Sequence, residues 1–428
     1  MAKAFKKPLK SPIKPKEKKP GQTIQGEVDL PFLLLTVLLV VVGLVMLLSA
    51  SYPSAIYDLK GNTQGDALYY FKRQAIFAVV GFMGMYIVSK LNYRGLQGLA
   101  MPILLVAFVL MLAVHVPGLG KTVGGATRWL TIPIQWQPSE LGKMALIIYF
   151  ASRLSKRDQR VPRRYNPRTS FGRFCNWLER IGFFELVPYG IVLVIMIAIL
   201  YLQPHMSASI QMVVIAAAIL FAGGISVGWF LAGGITVASL LVIIIATTDY
   251  MTSRVQMWQD PWSDALGKGM QAIQSMLAIG SGGVFGEGLG NSRQKFLYLP
   301  EAQNDFIFAV VCEELGLIGA SLVLVLFALL IIRGYWLALH ARDKFGSLVI
   351  VGVVTLFAFQ VFANVAVVTN LFPVTGISLP FFSYGGTALC IQLAEMGLIL
   401  SISRQNPITK PRPSGPIWNR PLRIRVTL

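Results

Sequence analysis

Apolar stretches of bilayer-spanning length recur along this chain and leave it little choice of architecture. Pro31–Ser51 carries no charged side chain over 21 residues. A bilayer core takes about 20 such residues to cross as a helix. Inside hydrocarbon every backbone N–H and C=O must be paired within the protein, which a helix does by itself. Further runs lie near Ala75–Ser89, Leu99–Val116, Leu141–Ala151, Leu186–Leu202, Ala208–Ala222, Val227–Thr247, Phe306–Ile332, Leu348–Val368 and Thr387–Ser403. The pattern predicts an all-α, polytopic membrane protein of about ten transmembrane helices. Charged residues make up 13% of the chain, against about 25% in soluble domains, and no stretch is left for a separate soluble domain. Leu48-Ser49-Ala50-Ser51 could pass for a signal-peptidase site. The run before it is longer than a signal core of about 7–15 residues, so it reads as an uncleaved first span.

The chain divides accordingly. Residues 1–30 are a Lys- and Pro-rich tail whose composition predicts disorder. Residues 31–403 form the membrane domain, with its largest loop, about 249–305, between spans 7 and 8. Residues 404–428 form a second basic tail. Lys and Arg set the orientation. Of the 38 present, 28 fall in the two tails, around Lys90 and Arg94, between Arg153 and Arg180, or around Arg333–Lys344. Both tails are therefore expected in the cytoplasm, with the 249–305 loop facing outward. The net charge of +19 raises the question of nucleic acid. The charges sit beside spans, which favours orientation and anionic lipid head groups instead. Cys175, Cys312 and Cys390 imply neither a disulfide framework nor a metal site. No Walker A, GxGxxG, GxSxG or HExxH motif is present, so ATP-driven transport and soluble hydrolase chemistry lose support.

Polar residues at the outer ends of spans carry the functional signal. Asp305 stands in Leu299-Pro300-Glu301-Ala302-Gln303-Asn304-Asp305-Phe306-Ile307-Phe308, where a long polar segment enters an apolar run. An acid there is costly and marks a functional position. Upstream come Trp258-Gln259-Asp260-Pro261 and the Gly-rich Gly280–Gly290. Trp258, Trp262, Phe285 and Tyr298 suit the headgroup level, and Met270–Ile279 has a helical pattern that could lie along the interface. A second group is Gly124-Gly125-Ala126-Thr127-Arg128-Trp129 followed by Gln137-Pro138-Ser139-Glu140-Leu141-Gly142-Lys143. Pro138 suits a first helical turn, where Glu140 complements the helix dipole. Lys143, three residues on, lies about 60° round, so the two side chains can pair on one face. A third is Phe372-Pro373-Val374-Thr375-Gly376-Ile377-Ser378-Leu379-Pro380-Phe381-Phe382-Ser383-Tyr384-Gly385-Gly386, a rigid non-helical loop. Glu313, Glu314, Gln392 and Glu395 lie within spans and read as interhelical contacts. His205 reads as an interfacial residue rather than a base.

In their order and spelling these motifs resemble the FtsW/RodA/SpoVE (SEDS) family over essentially Pro31 to Ser403, and most of all its division branch. The long basic N-tail supports that branch. One departure is His205, where many relatives have Asp after Gln203-Pro204. The resemblance implies a peptidoglycan glycosyltransferase of the bacterial cytoplasmic membrane, at the division septum, that polymerises lipid II into glycan strands. Asp305 corresponds to the family's catalytic carboxylate. Glu140 and Lys143 would line the central cavity. Lys143 and Arg128 are the candidates for the leaving pyrophosphate, and Ser378 and Ser383 for further polar contacts. No DxD-type metal motif is present, and a divalent cation such as Mg²⁺ could assist. The partners implied are lipid II, the nascent glycan strand, a class B penicillin-binding protein and other division proteins. The rival readings are an elongation polymerase and a lipid II flippase.

Overall fold

The computed structural model describes residues 27–57, 63–123, 126–131, 135–157, 165–166, 168–247 and 249–405. Residues 1–26 of the N-terminal tail, residues 406–428 of the C-terminal tail, and Gly124 and Gly125 lie outside the described residues.

Every apolar run of the sequence is a helix. In chain order the helices are α1 (Leu30–Ile56), α2 (Tyr69–Lys90), α3 (Arg94–Ala113), α4 (Pro138–Leu154), α5 (Ser170–Arg180), α6 (Phe183–Leu202), α7 (Met206–Ala222), α8 (Val227–Thr247), α9 (Asp249–Gln259), α10 (Met270–Gly282), α11 (Ile307–Leu339), α12 (Lys344–Val368) and α13 (Gly386–Ser403). Among the described residues seven are long and apolar enough to cross a bilayer, α1, α2, α3, α6, α11, α12 and α13, and α8 runs for 21 apolar residues beside them. α4 and α7 follow at 17 residues each. The all-α expectation needs one small amendment. Strands β1 (Gly120–Val123) and β2 (Ala126–Leu130) pair antiparallel between α3 and α4.

Caps and close approaches define the packing. Asp29 starts α1 by accepting a hydrogen bond from Phe32 N at 3.1 Å, with Pro31 in the first turn. The same carboxylate pairs with Arg333 of α11 at 2.5 Å. Tyr93 and Arg94, which open α3, bond to Asp343, which caps α12. Asp29, Asp343 and the end of α13 near Asn92 thus mark one end of the bundle. α12 is its axis and packs against α11, α7 and α4. α2 and α13 pair closely; a Cβ at Gly397 would lie 2.5 Å from Met85 O. Small residues allow such backbone contact where the hydrophobic effect gives no drive between helices.

The 249–305 segment is a folded layer. α9, a 3₁₀ turn at Pro261–Asp264 and α10 build it. α10 is the helix that the Met270–Ile279 pattern predicts: one face buries Ala272, Ile273 and Ala278, packs on α11, and Ser275 donates to Val368 O at 2.7 Å. α11 breaks at Gly316, with φ +65 and ψ −170, a backbone region open essentially to Gly alone. The Gly-rich segment fills the break. Glu287 N donates to Glu313 O at 2.9 Å, Gly288 N to Glu314 O at 3.0 Å, and Leu317 N to Gly283 O at 2.9 Å. Glu313 and Glu314 act as fasteners. Glu313 accepts from Ser292 Oγ and Arg293 N. Glu314 holds buried Lys295 at 2.7 Å and Ser49 of α1 at 2.6 Å.

Candidate functional site

Asp305 stands just before α11 at the end of the bundle opposite Asp29 and Asp343. Its backbone O accepts from Asn364 Nδ2 of α12 at 2.7 Å, and the same amide reaches Ile377 O at 2.8 Å. One side chain of the axial helix therefore ties Asp305 to the 370–385 loop. Ser383 closes the other side: its hydroxyl donates to Asn304 O at 2.7 Å and accepts from Leu379 N at 2.8 Å. Tyr384 N donates to Gln303 O at 2.9 Å. Gly376, at φ +73, passes so close that an added Cβ would lie 3.3 Å from Asp305 Oδ2.

The Asp305 carboxyl is half-buried and takes no hydrogen bond among the described residues. Burial, reinforced by the nearby Glu301 carboxylate, pushes its pKa up to about 6; the Arg254 and Arg128 guanidiniums oppose the shift and lose to it. A carboxylate with bare lone pairs and a pKa close to neutrality suits a proton acceptor.

A ladder of polar side chains runs from Asp305 into the bundle. Asn364 and Gln360 are one turn apart on α12. Gln360 Nε2 meets Gln211 Oε1 of α7 at 3.4 Å, and Lys143 Nζ of α4 donates to the same oxygen at 2.7 Å. Lys143 is 1% exposed and pairs with Glu140 at 2.8 Å, as the i,i+3 spacing predicts. Along this ladder Ser139 Oγ, His205 Nδ1, Gln360 Oε1, Asn364 Oδ1 and Thr375 Oγ1 are buried without a protein partner. Buried polar atoms are seldom left bare, and these five retain hydrogen-bonding capacity for water or a polar group.

Arg128 projects from β2 and donates to Gln203 O at 3.3 Å and Pro204 O at 2.5 Å. His205, next in the chain, is 8% exposed, so it is not the interfacial residue its position suggested. Burial and the charges of Arg128 and Lys143 push its pKa down to about 3, leaving a neutral ring at physiological pH. Ser207 donates to Thr375 O, which pins the start of α7 to the loop over Asp305. Ser378 is half-buried beside Ile377. Among the described residues no group of three or more His, Cys, Asp or Glu side chains could hold a metal ion by itself.

Four participants are invisible to motif reading. Gln211, Gln360 and Asn364 stand singly in apolar helices, and that isolation is the signal that could have found them. Arg254 of α9 donates to Val374 O and lines a cavity of about 650 Å³ together with Trp258, Asp264, Lys268, Gln271 and Asn370. Val374 borders this cavity and lies two residues from Gly376. Asp305 therefore stands between the buried polar ladder toward Lys143 and the outer cavity beyond Val374.

A family model for FtsW, RodA and SpoVE, described as cell cycle protein, matches residues 30–408. A probable peptidoglycan glycosyltransferase FtsW of Geobacter sp. (strain M18) is 39% identical over 376 residues, covering 88% of this chain and 96% of the relative. Stage V sporulation protein E of Bacillus subtilis (strain 168) is 38% identical, covering 88% of this chain and 97% of the relative. Among solved structures, a chain of a peptidoglycan synthase complex that coordinates polymerization and crosslinking aligns with TM-score 0.68 at 26% identity, over 88% of this chain and 98% of that one. The rod shape determining protein RodA of Thermus thermophilus aligns with TM-score 0.61 at 25% identity, over 89% of this chain and 98% of that one. The chain belongs to the FtsW/RodA/SpoVE family of cell cycle proteins.

Proposed function

We propose that this chain is a peptidoglycan glycosyltransferase that polymerises lipid II at the outer face of the cytoplasmic membrane, with Asp305 as general base. The observation that carries the assignment is the half-buried Asp305 carboxylate, unpartnered among the described residues and raised to a pKa of about 6, at the outer end of the polar ladder that leads to Lys143. The relatives named as FtsW glycosyltransferases support the reaction class.

The 4-hydroxyl of the acceptor N-acetylglucosamine is a poor nucleophile. Asp305 takes its proton as the oxygen attacks the anomeric carbon of the donor glycan. The new glycosidic bond forms as the bond from that carbon to the undecaprenyl pyrophosphate breaks. The leaving pyrophosphate gathers negative charge, which fixed cations stabilise best when already in place. Lys143 and Arg128 take this role. Lys143 is held in place by a carboxylate and an amide oxygen, and Arg128 by backbone carbonyls, so both cations are positioned before substrate arrives. Two substrates need two sites; the cavity beyond Val374 offers one beside Asp305, and the Lys143 side takes the pyrophosphate end of the donor. Ser383, with both hydrogen-bonding sides occupied, positions the loop, whereas Ser378 is the serine free to meet substrate. A divalent cation such as Mg²⁺ would arrive on the pyrophosphate, which suits an ion usually held by one or two carboxylates plus phosphate oxygens.

The Lys and Arg bias supports cytoplasmic tails and an outward-facing Asp305. The higher identity to FtsW relatives than to RodA supports a septal role. The synthase-complex neighbour supports a class B penicillin-binding protein as partner. The deciding experiment supplies purified protein with lipid II, with and without that partner. Glycan strands should form and should be absent with Asp305→Asn. A flippase would translocate lipid II without making polymer.

A further inference from the structure

Helix α5 is amphipathic, and no part of the reaction uses it. At about 100° per residue, Phe171, Phe174 and Trp177 fall on one arc of about 120°. They are 75%, 54% and 53% exposed, and Phe174 stacks on Trp177 with ring centroids 5.9 Å apart. The opposite face carries Gly172 and Cys175 and is buried against the protein. Arg168, Arg173 and Arg180 are exposed around the aromatic arc. The helix's single acid, Glu179, points away from it.

The location of α5 names its occupant. α4 ends at Leu154 and α6 begins at Phe183, so α5 lies at one face of the bundle, beside the ends of two spans. It is held there: Trp229 Nε1 of α8 donates to Ile181 O at 2.7 Å, directly after α5. We propose that α5 lies in the plane of this leaflet, with Phe171, Phe174 and Trp177 among the acyl chains and Arg168, Arg173 and Arg180 on anionic phospholipid head groups. A short helix with large aromatics on one face and arginines beside them is built for that interface. Each arginine adds about fivefold to the docking equilibrium on an anionic surface.

The test uses the full chain in nanodiscs. Phe174→Cys carries an environment-sensitive fluorophore, with Cys390 replaced by Ala; Cys175 and Cys312 are buried. In discs containing phosphatidylglycerol, lipids with a doxyl group near the head should quench the label, and aqueous iodide should not. With Arg168, Arg173 and Arg180 all changed to Gln, or in pure phosphatidylcholine, iodide quenching should rise at least threefold. Retained lipid II polymerisation by the triple variant would show that it is folded. Free access of iodide in the phosphatidylglycerol discs overturns the proposal. So does a label shielded from both quenchers, which would put a protein partner or a second copy on this face. Equal lipid quenching in both disc types overturns the assignment of the arginines.

Discussion

Asp305 combines two properties that a residue kept for stability does not show. Its charged form is disfavoured by its surroundings, and the opposing charges of Arg254 and Arg128 offset this only in part. The sign of the linkage follows. A carboxyl whose folded pKa is raised costs stability when ionised; the cost is absent below about pH 4 and complete above about pH 6. Asp305→Asn should therefore raise the melting temperature at pH 8, and by clearly less at pH 4.5, where part of the cost is already relieved. The same substitution should lower polymerisation by at least about 100-fold, the scale of a lost general base. A destabilised Asn variant at pH 8 would show that the carboxylate is structural. In the unsubstituted protein, polymerisation should fall about tenfold between pH 7 and pH 5 as Asp305 takes up its proton. A flat pH profile would remove it as the base. Lys143 belongs at the same scale. Lys143→Met should weaken binding of pyrophosphate-bearing lipid and lower activity about tenfold or more, because a fixed cation is lost. If Lys143 serves only to neutralise Glu140, the Glu140→Gln/Lys143→Met double variant recovers activity, and kinetics on the pair decide it.

Among the elements, α11 carries the most consequence. Its break at Gly316 lets the Gly-rich segment bond into the helix, and the short stretch before the break presents Asp305. A Cβ at Gly316 would lie 2.3 Å from Gly286 N. Gly316→Ala thus combines a backbone conformation forbidden to Ala with a backbone clash. A cost of at least about 1–3 kcal/mol is expected, read as a fall of several degrees in melting temperature, with activity lost although residue 316 is remote in sequence from the chemistry. An unchanged melting temperature would mean that the break is not rigid. This element also shows where sequence reading stops. The apolar run announced a span near Phe306–Ile332, because hydrocarbon demands one. Nothing in hydropathy announces a break that is repaired by a segment about 30 residues upstream. Placing Glu313 and Glu314 relative to Asp305 by an unbroken helical wheel fails for a related reason, since Asp305 precedes the helix. Their role as fasteners was nevertheless legible from two acids in an apolar run. Glu140 and Lys143 were legible as a pair because their partnership is local. The Lys143–Gln211–Gln360 ladder joins three helices far apart in the chain, and no periodicity encodes it.

The described residues form an axial helix, α12, wrapped by membrane-length helices, with Asp305 at one end and the Asp29–Arg333 and Asp343–Arg94 pairs at the other. Within that plan α8 is set apart. Leu231 and Ile235 are 66% and 69% exposed, and a Cβ at Gly233 or Gly234 would meet nothing within 4 Å. Gly223 and Gly224 sit in the α7–α8 turn against Leu154 and Arg157 and offer no such face. Paired glycines on an exposed span let another helix approach closely. α8 leads directly into α9, whose Arg254 touches the loop over Asp305. A partner helix seated on α8, with its outer stalk on the 249–305 layer, would therefore have a short mechanical path to the base. Photocrosslinkers placed along the membrane helix and stalk of a class B penicillin-binding protein should map to α8, the 249–305 layer and α11. Replacing Gly233 and Gly234 with Leu should abolish the membrane crosslinks and the partner's stimulation of polymerisation, while the activity of the chain alone persists. Crosslinks confined to α1, α2 and α3 would place the partner on the opposite side and sever the proposed path through α9.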